Sequence, residues 1–335
     1  MKVRARVIVI SLLIAASLVG CMAQEEEVVT EDTTVQIAYF IPVKGNSYTK
    51  ALTDGAEAVA QEMNAEITVF SSEYDQSLQN DQIEDAITSG KYNAFIINAV
   101  DSMGVLPGVE SAAEAGILVG AADTIIGPNT DAVEPYEGIT TIAGLTWATQ
   151  GQGFGEMVLR GCEGKDPCKV VYLVGMQGMT ADQDRLSAMK EVLADHPEIE
   201  LVDVQEASYL QDEALNVMQN VFQSHPDIDV VATAGDQMSL GAAQAAEDAG
   251  LAGSVKIYGN GASEQGVQAL KDGTLDASYA LVPYTVGEVV AENLIMAVRG
   301  QEFETAVDVS QLSPPLPASG AIIDQDTVDE FEAQW

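Results

Sequence analysis

Short apolar, β-branched runs alternate with longer segments of helical period along most of this chain. Residues 35–40 (Val-Gln-Ile-Ala-Tyr-Phe) read as a buried strand. The following segment sets Tyr48, Leu52, Ala56, Val59 and Met63 on one stripe, with Ala51, Gly55 and Ala60 beside it. That spacing follows the helical period and predicts a helix packed on a sheet. Strands are expected over 67–70, 94–98, 117–121 and 139–143, and helices over 78–89, 105–115 and 147–160. Gly90 and Gly116 stop two of those helices. Residues 125–137 break the rhythm, and Gly127, Pro128, Pro135 and Gly138 mark a loop. A second series then predicts strands over 170–174, 201–205, 229–232, 255–258 and 278–282. Its helices fall over 182–194, 212–224, 239–249 and 265–271, and a last long one over 286–299 ends at Gly300. The proline-rich stretch 313–317 reads as extended and 321–323 as a final strand. Such alternation predicts an α/β protein of parallel βαβ units with helices on both sheet faces. A length of 335 residues suits about two domains.

The start of the chain departs from this rhythm. Lys2, Arg4 and Arg6 precede an unbroken apolar run over 7–18, which ends Leu18-Val19-Gly20-Cys21. Residues 1–20 therefore read as a signal segment, too short to span a bilayer comfortably. Small residues before the cysteine resemble the lipobox of bacterial lipoproteins, which implies a lipid on Cys21; the alternative is an ordinary secretory signal with an incidental cysteine. Residues 21–34 then form the lipidated cysteine and an acidic, aperiodic tether. The expected location is extracytoplasmic, in the periplasm or on the outer face of the cell membrane, with the lipid as the only membrane contact. In that oxidising compartment Cys162 and Cys168, flanking Gly164 and Pro167, read as a local disulfide. No other Cys or His lies nearby in sequence, so no metal site is expected.

Charge narrows the range of partners. The 14 Lys+Arg against 52 Asp+Glu leave a net charge of −38. Nucleic acid is excluded, because a phosphate-binding protein needs a basic face. An apolar fraction of 47% is far too high for a disordered acidic chain. Strong like charge keeps a protein soluble and favours a monomer.

In open α/β sheets, ligands bind beyond the carboxyl ends of the strands. Those ends carry Asn46, Tyr48, Asn98, Asp123 and Thr124 in the first series, and Arg185, Tyr209, Asp236 and Asn260 in the second. Amide, carboxylate and guanidinium groups pair with vicinal hydroxyls, and aromatic faces cover the C–H faces of a sugar ring. Asp101 and Asp236 read equally well as helix caps, and Tyr48 as a core residue. No nucleophile with an adjacent base and no phosphate-binding loop appears, so neither a catalytic residue nor a cofactor is expected. Gly151-Gln152-Gly153-Phe154-Gly155 lies inside a helical pattern and reads as small residues for close helix packing.

Several patches together resemble the sugar-type solute-binding proteins of ABC transporters, the group containing the ribose- and galactose-binding proteins. They are Ile96–Ser102, Ala214–Asn220, 224–227, 235–242 and 271–275, within a resemblance that covers residues 35–310. The resemblance implies a type I periplasmic-binding-protein fold: two doubly wound parallel-sheet lobes joined by a three-crossing hinge. An N-terminal lobe would take 35–145 plus 282–311, and a C-terminal lobe 146–281 plus 312–335. The ligand set carries over as Asn46 and Tyr48, Asn98, Asp123, Arg185 and Tyr209, with Trp147 at the hinge. The sequence departs from the family pattern at Thr124 (an Arg there), Gly235 (Asn), Gly261 (Asp, with Asn260 beside it) and Leu281 (Gln). A buried hydroxyl left without its partner costs about 1–3 kcal/mol. The expected ligand is therefore not ribose itself. It is a sugar, polyol or related small polar molecule with fewer hydroxyls, or a larger one that also meets Trp147. The implied partners are the permease and ATPase subunits of an ABC importer. The alternative function on the same fold is a sensing lipoprotein, serving autoinducer or chemoreceptor signalling.

Overall fold

The computed structural model describes residues 33–335. The expected signal, the lipidation site Cys21 and the tether up to residue 32 lie outside the described residues. The first series of elements runs β1 (Val35–Ile41), α1 (Ser47–Glu62), β2 (Ala65–Ser71), α2 (Gln76–Ser89), β3 (Ala94–Ile97), α3 (Leu106–Glu114), β4 (Leu118–Asp123) and β5 (Thr141–Gly144). The second runs α4 (Trp147–Gly161), β6 (Cys168–Val174), α5 (Thr180–Leu193), β7 (Ile199–Glu206), α6 (Gln211–Ser224), β8 (Val230–Thr233), α7 (Asp236–Asp248), β9 (Lys256–Gly261), α8 (Glu264–Lys271) and β10 (Ala277–Ala280). The chain closes with α9 (Pro283–Val298), β11 (Ala306–Asp308) and β12 (Ile322–Asp324).

These strands build two six-stranded sheets, ordered β11-β5-β4-β3-β1-β2 and β12-β10-β9-β8-β6-β7. All pairings are parallel except β10 with β12, which is antiparallel. Each sheet has a switch point where the strand order reverses, at β1/β3 and at β6/β8, the place where open α/β sheets bind ligands. The chain passes from the first sheet to the second after β5, returns before α9, and crosses again between β11 and β12. This is the three-crossing, two-lobe type I architecture that the resemblance implied.

Helices cover both sheet faces, which is why the central strands are buried throughout: all four residues of β3 and of β8 are inaccessible. One core runs through both lobes by way of Leu145, Leu281 and Leu316. A second, with Phe40, Phe95 and Ile83, lies on the other face of the first sheet. Gly151 and Gly155 let α4 lie directly on α5: a Cβ on Gly151 would stand 2.3 Å from the Arg185 carbonyl oxygen. Cys162 and Cys168 are joined in a disulfide that closes the turn between α4 and β6. Two expectations need correction. Residues 313–317 are not extended; a turn closed by Leu316 N–H on the Leu312 carbonyl, at 3.2 Å, tucks Leu316 into the core. Strand β11 was not foreseen, because three residues show no alternation. Among the described residues no helix is long and apolar enough to cross a membrane.

Candidate functional site

The carboxyl ends of the two sheets face each other across a cleft, and a cavity of about 90 Å³ lies between them. A water occupies roughly 10–15 Å³ by the same measure, so this is room for one small molecule. From the first lobe come Asn46, Tyr48, Asn98, Asp123 and Thr124; from the second come Arg185, Tyr209 and Asn260, with Trp147 where the chain first crosses. Gly235 and Leu281, where the resemblance implied polar side chains, also line it.

The first-lobe side is built around Asp123. Tyr48 donates its hydroxyl to Asp123 Oδ1 at 2.6 Å, and the Asn98 amide donates to Asp123 Oδ2 at 3.4 Å. Asn98 is itself fixed by Thr124 Oγ1 at 3.1 Å. Burial pushes the Asp123 carboxyl up to about 6, against the opposing pull of Tyr48, Arg185 and Asn98. Burial, then the Asp123 charge, also raises the Tyr48 phenol. Asn46 Oδ1 accepts the Tyr48 backbone N–H at 2.7 Å and so caps α1.

The second-lobe side is built around Arg185, 4% exposed. It does not stand unpaired. Asp182 Oδ1 lies 3.4 Å from Nη1, Nη2 donates to the Tyr209 hydroxyl at 3.2 Å, and Nη1 donates to the Ala234 carbonyl at 3.4 Å. The guanidinium also stacks 5.0 Å over the Trp147 ring. Burial opposes its charge, but Tyr209 and Asp182 more than compensate, so it stays a cation. Asp182 ties this side together, accepting the Tyr209 hydroxyl at 2.8 Å and the backbone N–H groups of Gly175 and Met176.

Three buried polar atoms on the lining have no partner: Arg185 Nε, Trp147 Nε1 and Asn260 Oδ1. Buried polar atoms are normally paired. Three lining residues, Tyr74, Asp123 and Tyr209, hold positive φ angles of 62°, 67° and 56°. A non-glycine backbone is costly there, and such strain gathers at ligand sites.

Asp236 is not brought to the cavity. It is fully buried, and its carboxylate is consumed by Ser278 Oγ at 2.7 Å, Ser263 N at 2.6 Å and Ser263 Oγ at 2.9 Å. Asp101 holds the turn before α3, accepting from Met103 N at 3.1 Å. Sequence reading missed Tyr74, Met179, Gln237 and Trp335 on the lining. Tyr74 and Met179 lie in the loops that follow β2 and β6, whereas nothing around Trp335 marked it. Among the described residues no group of three or more His, Cys, Asp or Glu is placed to hold a metal ion.

Comparison with known proteins shows the family of the chain. Residues 37–302 match the family model described as a periplasmic binding protein domain, and the chain belongs to that family. It is 27% identical over 273 residues to the ribose import binding protein of Salmonella typhimurium, covering 82% of this chain and 88% of that one. It is 30% identical over 256 residues to a xylitol-binding protein of Mycolicibacterium smegmatis, covering 75% and 69%. A solute-binding protein of an ABC transporter from Mycobacterium smegmatis, solved with bound glycerol, superposes with a TM-score of 0.75 at 25% identity, over 89% of this chain and 96% of that one.

Proposed function

We propose that this protein captures a small polyol or sugar between its two lobes and delivers it to the permease and ATPase of an ABC importer. The observation that carries this reading is the cavity itself. It sets a carboxylate, a guanidinium and amides beside aromatic rings, with Arg185 Nε, Trp147 Nε1 and Asn260 Oδ1 awaiting partners. Hydroxyl groups serve as both donor and acceptor and would satisfy all three. The lining at Gly235 and Leu281 offers no side-chain hydrogen bond, which disfavours ribose itself and favours a polyol or sugar whose hydroxyls do not fall at those two places. The xylitol and ribose ligands named for the relatives support the class.

We take 35–145 plus 282–311 as one lobe and 146–281 plus 312–335 as the other, a division that the two sheets support. In this reading the protein works outside the cytoplasm as a monomer, held to the membrane by a lipid on Cys21. Mass spectrometry of the membrane-bound protein tests the lipid. Thermal unfolding of the lipid-free protein against glycerol, xylitol, ribitol, D-ribose, L-arabinose, nucleosides and autoinducers tests the ligand class. A ligand at 100 times its dissociation constant adds about 2.7 kcal/mol, and a polyol or sugar should raise the melting temperature accordingly. A shift with a nucleoside or autoinducer alone would overturn the ligand class.

A further inference from the structure

The ligand cavity has a larger neighbour. A cleft of about 780 Å³ opens at the mouth between the lobes, and Asn46, Tyr74, Tyr209, Gln237 and Trp335 line both spaces. These five side chains form the partition. Asn46 is engaged in capping α1, Tyr209 is bound by Asp182 and Arg185, and Gln237 Nε2 donates to Ser47 Oγ at 3.3 Å. Trp335 differs from them in lying beyond β12, the last strand of the second sheet, and not in a strand-to-helix connection or at a helix start. The 331–335 segment carries it in, anchored by Phe331 in the core and by Gln334, whose Oε1 accepts the Thr285 backbone N–H at 3.1 Å and whose Nε2 donates to Thr285 Oγ1 at 2.8 Å.

The seat for the indole is specific. Its N–H donates to the Gly261 carbonyl at 3.3 Å, and the Trp335 carbonyl accepts the Glu264 N–H at 2.7 Å. Gly261 has a φ of +130°, and a Cβ there would stand 2.2 Å from the ring, so only glycine leaves the space. Across the cleft the ring meets Tyr48 edge to face, with centroids 5.3 Å apart. The two indoles on the lining therefore offer different chemistry. Trp147 has a free N–H, whereas the Trp335 N–H is already used and only its apolar surface remains.

We propose that Trp335 sets the length of the ligand: its indole closes the inner cavity against the outer cleft, packs on a C–H face of the ligand, and restricts the site to a single small polyol or monosaccharide. This rests on the reading of the cavity as a polyol or sugar site. Removing the ring joins the two spaces, and the outer cleft, with Tyr74, Leu210 and Met176 on its walls, then has room for a second sugar unit.

Calorimetric titration of the wild type, W335A and W335F tests this with single-unit probes (glycerol, xylitol, ribitol, D-ribose, L-arabinose) and extended ones (xylobiose, maltitol). The wild type should bind at least one single-unit probe and no extended one. W335A should bind that probe about tenfold more weakly, a loss of about 1.4 kcal/mol, and should gain binding of an extended probe. W335F, which keeps a ring, should still reject the extended probes. A W335A protein with the wild-type ligand profile overturns the proposal and leaves the cavity reading intact. A wild type that binds neither class of probe overturns the cavity reading, and the proposal with it. Acrylamide quenching of the wild type, with the signal of W335F (Trp147 its only remaining tryptophan) subtracted to isolate Trp335, covers the case in which W335A does not fold. Saturation with the bound single-unit probe should shield Trp335 at least twofold, and unchanged quenching overturns the proposal.

Discussion

Arg185 and Asp182 sit together at 4% and 1% exposure, 3.4 Å apart. Removing one member of a buried pair strands the other charge, which costs about 3–5 kcal/mol. Arg185→Ala should therefore lower the unfolding free energy by that amount in urea melts, besides abolishing ligand binding. A loss below about 1 kcal/mol would contradict the buried pair, since that is the range of exposed ones. Asp123 makes a prediction in pH. Its carboxyl stands at about 6 in the folded protein against an ordinary value of 3.8. Between those values the folded state holds a proton that the unfolded state has released. This residue therefore makes stability fall as pH rises from about 4 to about 6, by roughly 3 kcal/mol in all, and adds no further change above that window. Asp123→Asn should remove that component, so the wild type should lose ground to the variant across the window in urea melts. A difference independent of pH would contradict the assignment. At this scale the sequence was informative where a polar residue follows an apolar strand, as Asn98 and Asp123 do. It was misleading at Asp236, which has the same position after β8 but turns its carboxylate onto Ser263 and Ser278. Direction of a side chain at a strand end is set by neighbouring loops, and one sequence does not display them.

Elements position these residues through close contact. Gly151 of α4 lies against the Arg185 carbonyl of α5, where a Cβ would approach to 2.3 Å. Gly151→Ala must push the two helices apart, and forcing extra volume into a packed contact costs about 1–3 kcal/mol. The same displacement moves Arg185, so ligand affinity should fall together with the melting temperature. A variant that loses stability and keeps full affinity would show that α5 does not set the guanidinium position. Most elements were legible because their periods are long. The stripe from Tyr48 to Met63 became α1, and the apolar run at 94–98 became β3. The elements that escaped are those whose pattern is short or borrowed from elsewhere. Strand β11 is three residues whose strand state depends on β5 beside it. The turn at 313–315 exists to bury Leu316 at the hinge, a long-range contact that proline content alone does not reveal.

The whole molecule holds its lobes together across the cleft with few polar bonds. Thr130 Oγ1 donates to Asp184 Oδ2 at 2.8 Å, Thr180 Oγ1 to Asp101 Oδ2 at 3.1 Å, and Gln237 Nε2 to Ser47 Oγ at 3.3 Å. A typical hydrogen bond contributes about 1 kcal/mol net. A ligand that touches both lobes is bound more tightly where the closed arrangement is favoured. The double variant Thr130→Ala, Thr180→Val should therefore weaken ligand binding by about tenfold without touching the cavity lining, as read by calorimetry. Unchanged affinity would mean that these bonds persist when the lobes part. The two-lobe plan was legible because two βα series stand in the sequence. The place of Trp335 on the cavity lining was not, because the residue lies beyond the third crossing and its seat at Gly261 is far away in sequence.

The central claim is that a small hydroxylated ligand enters the cavity between the lobes, and the chain carries its own reporters. It has two tryptophans, Trp147 and Trp335, and both line that cavity. The most direct measurement is tryptophan emission of residues 22–335, titrated with whichever polyol or sugar raises the melting temperature. A ligand at the proposed site must produce a saturable change in emission, at the affinity that calorimetry gives. A ligand that stabilises the protein and leaves tryptophan emission unaltered would bind elsewhere and contradict the account.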